Sequence, residues 1–334
     1  MKLVQVVISW LDVFSLIGAL AVIVLFFLIR TRDRDAVDRV SIRLQLGIAF
    51  LDFIKHSMGL VSIHWEDSAC TAVGFLFTLM YHMYMCLNIF IALNLFLVIL
   101  CNKRPKRRWE LYYWAVSFIL PLLLDVPLLA AGVFGKSGKG RCGIVQGTAV
   151  NDIIHLIYNV VSCSITIVYC LLISVWVVYK VKSEKFDQSM ESLTNPTDLF
   201  HKENSLLSFR SLICRTCLYP ISCFLAYVGS NFSGTYYFIV KQVPDPISAW
   251  GRFGFCSRGI LHFFSFIADP LVFKAVSNFF RNRRGADGSD SQLKFYQFEV
   301  TPDCEYSYEH LVGPSADTLS PSLKKMIHNF RKYI

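Results

Sequence analysis

Apolar residues fall along the chain in long blocks with short polar stretches between them. The most continuous block is Cys70–Leu100, CTAVGFLFTLMYHMYMCLNIFIALNLFLVIL, which holds no Lys, Arg, Asp or Glu. About 20 apolar residues suffice to cross a hydrocarbon core. Backbone in lipid must bond to itself, so the block is predicted to be a transmembrane helix. His82, Asn88 and Asn94 lie inside it. Polar side chains at that depth face other helices, which puts this helix at the centre of a bundle.

Six further blocks have the length of spans. They cover about Val4–Ile29, Val40–Ile63, Leu111–Phe134, Asp152–Tyr179, Phe209–Phe232 and Trp250–Val272. The fold class is therefore all-α: a seven-transmembrane-helix bundle spanning residues 1–284, followed by a tail over 285–334 that reads as disordered. The first block is too long for a signal-peptide core and reads as the first span. Between spans, Gly135–Asn151 is a Gly-rich loop and Lys180–Ser208 a polar stretch. No internal repeat is visible, which speaks against an inverted-repeat transporter.

Composition agrees. Hydrophobic residues make up 54% and charged residues 17%, with a mean hydropathy of +0.47, against about 25% charged in soluble domains. The net charge of +9 reflects orientation rather than nucleic-acid binding, because Lys and Arg concentrate on one side of the bundle. Arg30, Arg32, Arg34 and Arg39 lie in the first loop, and Lys103, Arg104, Lys106, Arg107 and Arg108 in the third. Lys180, Lys182, Lys185 and Lys202 lie in the fifth. These loops belong inside, with the N-terminus outside and the C-terminus inside. Lys136, Lys139 and Arg141 in the fourth loop are the exception. Cys70 and Cys142 then fall on the oxidising side and are expected to form a disulfide. The sequon at Asn231 marks the outer end of span six as a glycosylation site. No cysteine spacing suggests a metal site, and no cofactor is expected.

Four motifs stand out: Cys70 with Gly74-Phe75-Leu76, the run Ile91 to Val98, Arg215 with Tyr219-Pro220, and Asp269-Pro270. They resemble those of G-protein-coupled receptors, in particular the slime-mould cyclic-AMP receptors and fungal nutrient-sensing receptors. Ile99-Leu100-Cys101 stands where rhodopsin-like receptors carry Asp-Arg-Tyr, and Asp269-Pro270-Leu271-Val272-Phe273 replaces Asn-Pro-x-x-Tyr. The resemblance implies a plasma-membrane receptor, not an enzyme. It would bind an extracellular small molecule or short peptide and act on a heterotrimeric G protein. The G-protein-facing residues would be Lys103, Arg104, Arg107, Arg108 and Arg215. Pro220 would act as a hinge, and Asp52, Asn94, Asp269 and Pro270 would belong to the activation machinery.

The spans carry unusual charge. Asp52, Lys55 and His56 lie within span two, His82 in span three, and Arg252, Arg258 and His262 in span seven. If Lys55, His56, His82, Arg252, Arg258 and His262 converge in the outer half, they suit an anionic or strongly polar ligand. The alternative is internal pairing with Asp52, Asp125 or Glu66, with Arg252 reaching to the headgroups. For Asp52 the choices are a local pair with Lys55, three residues on, or a polar core reaching Asn94 and Asp269. A transporter or channel for a small polar solute would also account for intramembrane charge. A retinal pigment would need a lysine within span seven, where the only nearby lysine is Lys274 at the inner edge.

Overall fold

The computed structural model describes residues 2–32, 34–61, 67–101, 107–136, 142–145, 147–191, 199–269 and 272–277. Span one is α1 (Lys2–Arg32); a short α2 (Arg34–Val37) leads into span two, α3 (Val40–Val61). Span three is α4 (Asp67–Leu95), continued by a wider turn over Phe96–Leu100 whose closing bond runs from the Cys101 N–H to the Phe96 carbonyl. Span four is α5 (Arg107–Ala130). Span five consists of α6 (Ala149–His155), a wide-turned segment Leu156–Val161 and α7 (Ser162–Glu191). Span six is α8 (Leu199–Val240); span seven is α9 (Asp245–Cys256) followed by α10 (Arg258–Ile267).

The helices close into a ring. α1 packs on α3 and α10, α3 on α4, α4 on α5 and α7, α7 on α8, and α8 on α9 and α10. Each helix shows the core one stripe. In α1 the stripe is Ser15, Ala19, Val22, Phe26 and Ile29, all nearly inaccessible, while Trp10, Phe14, Ile17, Leu20 and Val24 point outward. This spacing of three and four is that of an amphipathic helix, but the outer face is apolar, as a lipid-facing surface requires. α5 is the most peripheral span. It buries Tyr113, Ser117, Asp125 and Leu128 and exposes most of its leucines. α4 is the centre, with Met80, Tyr81, Met83, Tyr84, Met85, Leu87 and Ile91 all buried.

Among the described residues, four helices qualify as spans by length and composition alone: those covering Val6–Arg32, Ala69–Val98, Arg108–Ala130 and Ala149–Lys180. Span two carries Arg43, Asp52 and Lys55, and span seven is interrupted at Ser257. Their departure from simple apolarity has a structural reason, described below.

Several sequence boundaries move. Spans five and six run far into the stretch read as a polar linker, because helical backbone continues past the apolar block. The loop after span four contains a hairpin, β1 (Phe134–Lys136) paired antiparallel to β2 (Cys142–Ile144), with Phe134 opposite Ile144. Cys142 is disulfide-bonded to Cys70 at the top of α4. The hairpin lies so close that a Cβ on Gly74 would stand 2.8 Å from the Gly143 nitrogen. The bond closes a long loop (sequence separation 72), so Cys142→Ser is expected to lower stability by at least about 2 kcal/mol. Thermal unfolding with and without reductant would show it; equal midpoints would exclude a stabilising role.

Candidate functional site

The buried charges of spans one, two and seven meet at the break in span seven. Between Cys256 and Arg258 the helix is interrupted at Ser257. The interruption leaves carbonyls of the preceding turn without their helical donors, and buried carbonyls demand partners. Lys55 Nζ donates to the Phe255 carbonyl at 2.9 Å and sits 3.2 Å from the centroid of the Phe255 ring. The Ser15 hydroxyl of α1 donates to the Cys256 carbonyl. The Cys256 thiol points to Asp12 Oδ2 at 3.4 Å, and Asp12 Oδ1 lies 2.8 Å from His56 Nδ1.

Directly after the break Arg258 turns inward and is fully buried. Its guanidinium pairs with Asp52 of α3, also fully buried, and donates to the Tyr227 hydroxyl of α8 at 2.5 Å. It lies over the Tyr84 ring, 4.2 Å from the centroid, a cation–π contact favoured by desolvation. One turn on, His262 Nδ1 is 2.6 Å from Asp52 Oδ2 and its Nε2 is 2.6 Å from the Tyr84 hydroxyl. A neutral ring satisfies both, donating to the carboxylate and accepting from the phenol. Asp52 is thus held from span seven, while Tyr84 and Tyr227 bring spans three and six into the same network.

The formal charges balance. Lys55 and Arg258 are matched by Asp12 and Asp52, as burial in a low-dielectric interior requires. Four of the six candidate ligand residues, Lys55, His56, Arg258 and His262, therefore do come together, with internal partners. Arg252 stands apart, donating to the Ser248 carbonyl of its own helix at 3.3 Å. His82 also stands apart, between Asp125 of α5 and the Tyr158 carbonyl of span five.

Of the pairings read from the sequence, Asp52 takes the internal one with the span-seven cations, through Arg258 and His262. Lys55 bonds to span seven instead of to Asp52, and Asn94 is not among the partners of Asp52. Asn94 is buried with its side-chain oxygen lacking a hydrogen-bond partner, and Asp269 is fully buried. Pro220 lies within α8. Asn231 lies within α8, which continues to Val240, and its amide donates to the Ser164 hydroxyl of α7 at 2.7 Å. On the inner side Arg108 is exposed. Lys103, Arg104, Pro270, Glu66 and the tail lie outside the described residues, as do the side chains of Arg107 and Arg215.

Sequence reasoning passed over Asp12, Tyr84 and Tyr227. Asp12 was open to discovery, since a lone carboxylate in an apolar span is a functional candidate by default. The two tyrosines give no such signal, because a tyrosine in a membrane helix is ordinary.

The bundle is similar to the crystal structure of squid rhodopsin, with a TM-score of 0.63 over 86% of this chain and 87% of that one, at 14% identity. The seven-helix arrangement is that of rhodopsin. No protein-family model matches the chain, and no curated protein matches it.

Proposed function

We propose that the protein is a G-protein-coupled receptor that binds a small extracellular ligand in the outer half of the bundle and activates a heterotrimeric G protein at its basic inner face. The observation that carries this reading is the single network in which Asp52, Arg258, His262, Tyr84 and Tyr227 join spans two, three, six and seven. A ligand that competes for any member changes the restraints on all of these spans. Its differential affinity for the two arrangements then shifts the population between them.

The balanced charges refine the ligand. An acidic ligand reaches Arg258 by taking over from Asp52, and Lys55 by replacing the Phe255 carbonyl. The sequence likeness to cyclic-AMP and nutrient-sensing receptors favours ligands of that kind. A retinal pigment does not fit these residues. From Asp245 to Ala268 the chain has no lysine, the inward positions of α10 hold Arg258 and His262, and the buried Lys55 amine is bonded to a carbonyl.

Purification in nanodiscs with heterotrimeric G protein tests the reading. A complex that guanine nucleotide dissolves is the expected result. The reading fails if no G protein of the source organism forms a nucleotide-sensitive complex.

A further inference from the structure

Three buried histidines each face a carboxylate on another helix: His56 with Asp12, His262 with Asp52, and His82 with Asp125. They differ in what the second ring nitrogen meets. For His262 it is a phenol, which can donate. His56 Nε2 is buried without a hydrogen-bond partner. His82 Nδ1 is 2.9 and 3.0 Å from the two oxygens of Asp125, and its Nε2 is 2.9 Å from the Tyr158 carbonyl oxygen. Carboxylates and carbonyls only accept. A neutral imidazole has one N–H and cannot serve both.

We propose that the His82–Asp125 pair is a proton-binding site whose bound proton fastens spans three, four and five to one another. The proton count is the same wherever it rests. Either an imidazolium donates to both acceptors, or a protonated Asp125 donates to Nδ1 while Nε2–H donates to Tyr158. In both cases the pair is neutral, the cheaper state for a fully buried carboxyl. Loss of one proton to water leaves the pair with a single negative charge. A lone pair then faces an acceptor, and one of the two links is given up.

The link at stake holds an irregular piece of backbone. Tyr158 lies in the wide-turned segment Leu156–Val161, where the Ser162 N–H reaches back to the Ile157 carbonyl. Such turns leave carbonyls off the regular ladder and often mark functional positions. Two neighbours on α4 take them up. The Tyr81 hydroxyl donates to the Asn159 carbonyl at 3.1 Å, and His82 to that of Tyr158, which also accepts from the Ser162 hydroxyl. Deprotonation removes one half of this two-point attachment or frees Asp125 of α5.

The ionisable surroundings do not supply a substitute. The Tyr158 ring stands 5.9 Å from the imidazole and the Tyr81 ring 5.5 Å. Cys86 of α4 lies near Asp125, and Cys163 of α7 and Tyr227 of α8 lie beyond Tyr81. Arg258 is spent on Asp52 and the Tyr227 hydroxyl. Among the described residues His82 is the only basic side chain paired with Asp125.

The inference stands without the receptor reading and is tested without a ligand or a G protein. Full-length protein with 15N-labelled histidine is placed in phospholipid bilayers and observed by solid-state NMR from about pH 5 to about pH 9. The signals lost in His82→Gln or shifted in Asp125→Asn identify the ring, so one variant suffices if the other fails to fold. Two outcomes support the site at neutral pH: an imidazolium, or a neutral ring beside a protonated carboxyl whose infrared C=O band disappears in Asp125→Asn. A neutral His82 beside an ionised Asp125 throughout the range overturns it. Spin labels at the outer ends of α5 and span five report the fastening. Their separation is expected to increase or broaden as the pair loses its proton, and in His82→Gln at every pH; a distribution unchanged both by loss of the proton and in His82→Gln refutes that role.

Discussion

Asp52→Asn is expected to destabilise the folded protein by about 3–5 kcal/mol, the range seen when one partner of a buried ion pair is removed. The side chain is fully buried and faces a fully buried guanidinium. Asparagine keeps the size but leaves Arg258 charged with no counter-ion among the described residues, since Asp12, at the same break, is engaged by His56 and Cys256. The His262 bond to Asp52 weakens at the same time. The loss belongs to the unpaired charge rather than to the absent carboxylate. Asp52→Asn combined with Arg258→Met should therefore recover much of it, because replacing a buried pair with apolar groups is often nearly neutral. Thermal unfolding of both variants in nanodiscs decides the matter. Equal losses in the single and double variants would mean that the pair has no energetic coupling.

Gly259→Ala is expected to cost about 3 kcal/mol, the upper end of the overpacking range, and Gly259→Leu to abolish folded protein. A Cβ at Gly259 would stand 2.3 Å from the Ser15 carbonyl oxygen and 3.0 Å from its Cα, and one at Gly18 2.9 Å from the Gly259 oxygen. The obstacle is backbone on both sides, so no rotamer change relieves it. Interiors are packed too tightly to absorb such a shift locally. Spans one and seven would have to separate, which breaks the Ser15–Cys256 bond as well. Gly59→Ala serves as the control, because its Cβ would meet nothing within 4 Å. Similar unfolding midpoints for Gly259→Ala and Gly59→Ala would refute the argument.

The seven spans, the central place of Cys70–Leu100 and the Cys70–Cys142 bridge were all legible, because apolar length and the side of the membrane are written in local composition. Ends were harder to read. The apolar block of span six closes near Phe232, but α8 runs to Val240, since a helix leaves the membrane without leaving its own hydrogen bonding. Charges inside spans signalled that Asp52, Lys55, Arg258 and His262 matter and offered internal pairing with Asp52 or Asp125 as one arrangement, while which cation takes which carboxylate was hidden. The partners Asp52 and Arg258 are 206 residues apart, and nothing in a single sequence states which distant residue cancels a buried charge. The break at Ser257 was equally silent. It contains no proline, and its signature is the set of donors, Ser15 and Lys55, that other helices supply to it.

That break makes span seven two rods on one joint. The outer rod, α9, is fixed to span six: a Cβ on Gly254 would stand 2.8 Å from the Ala226 and Leu225 oxygens, and one on Gly251 3.0 Å from the Gly229 oxygen. The inner rod, α10, is fixed to span one through Gly259 and Gly18. At these glycines backbone meets backbone, with no side chain between that can rotate to take up movement. A displacement of the outer part of span six therefore drags α9 along, and the mismatch accumulates at Ser257, where Lys55, Ser15 and Arg258 hold the joint. The leverage of the bundle is concentrated on one residue and three side-chain clamps.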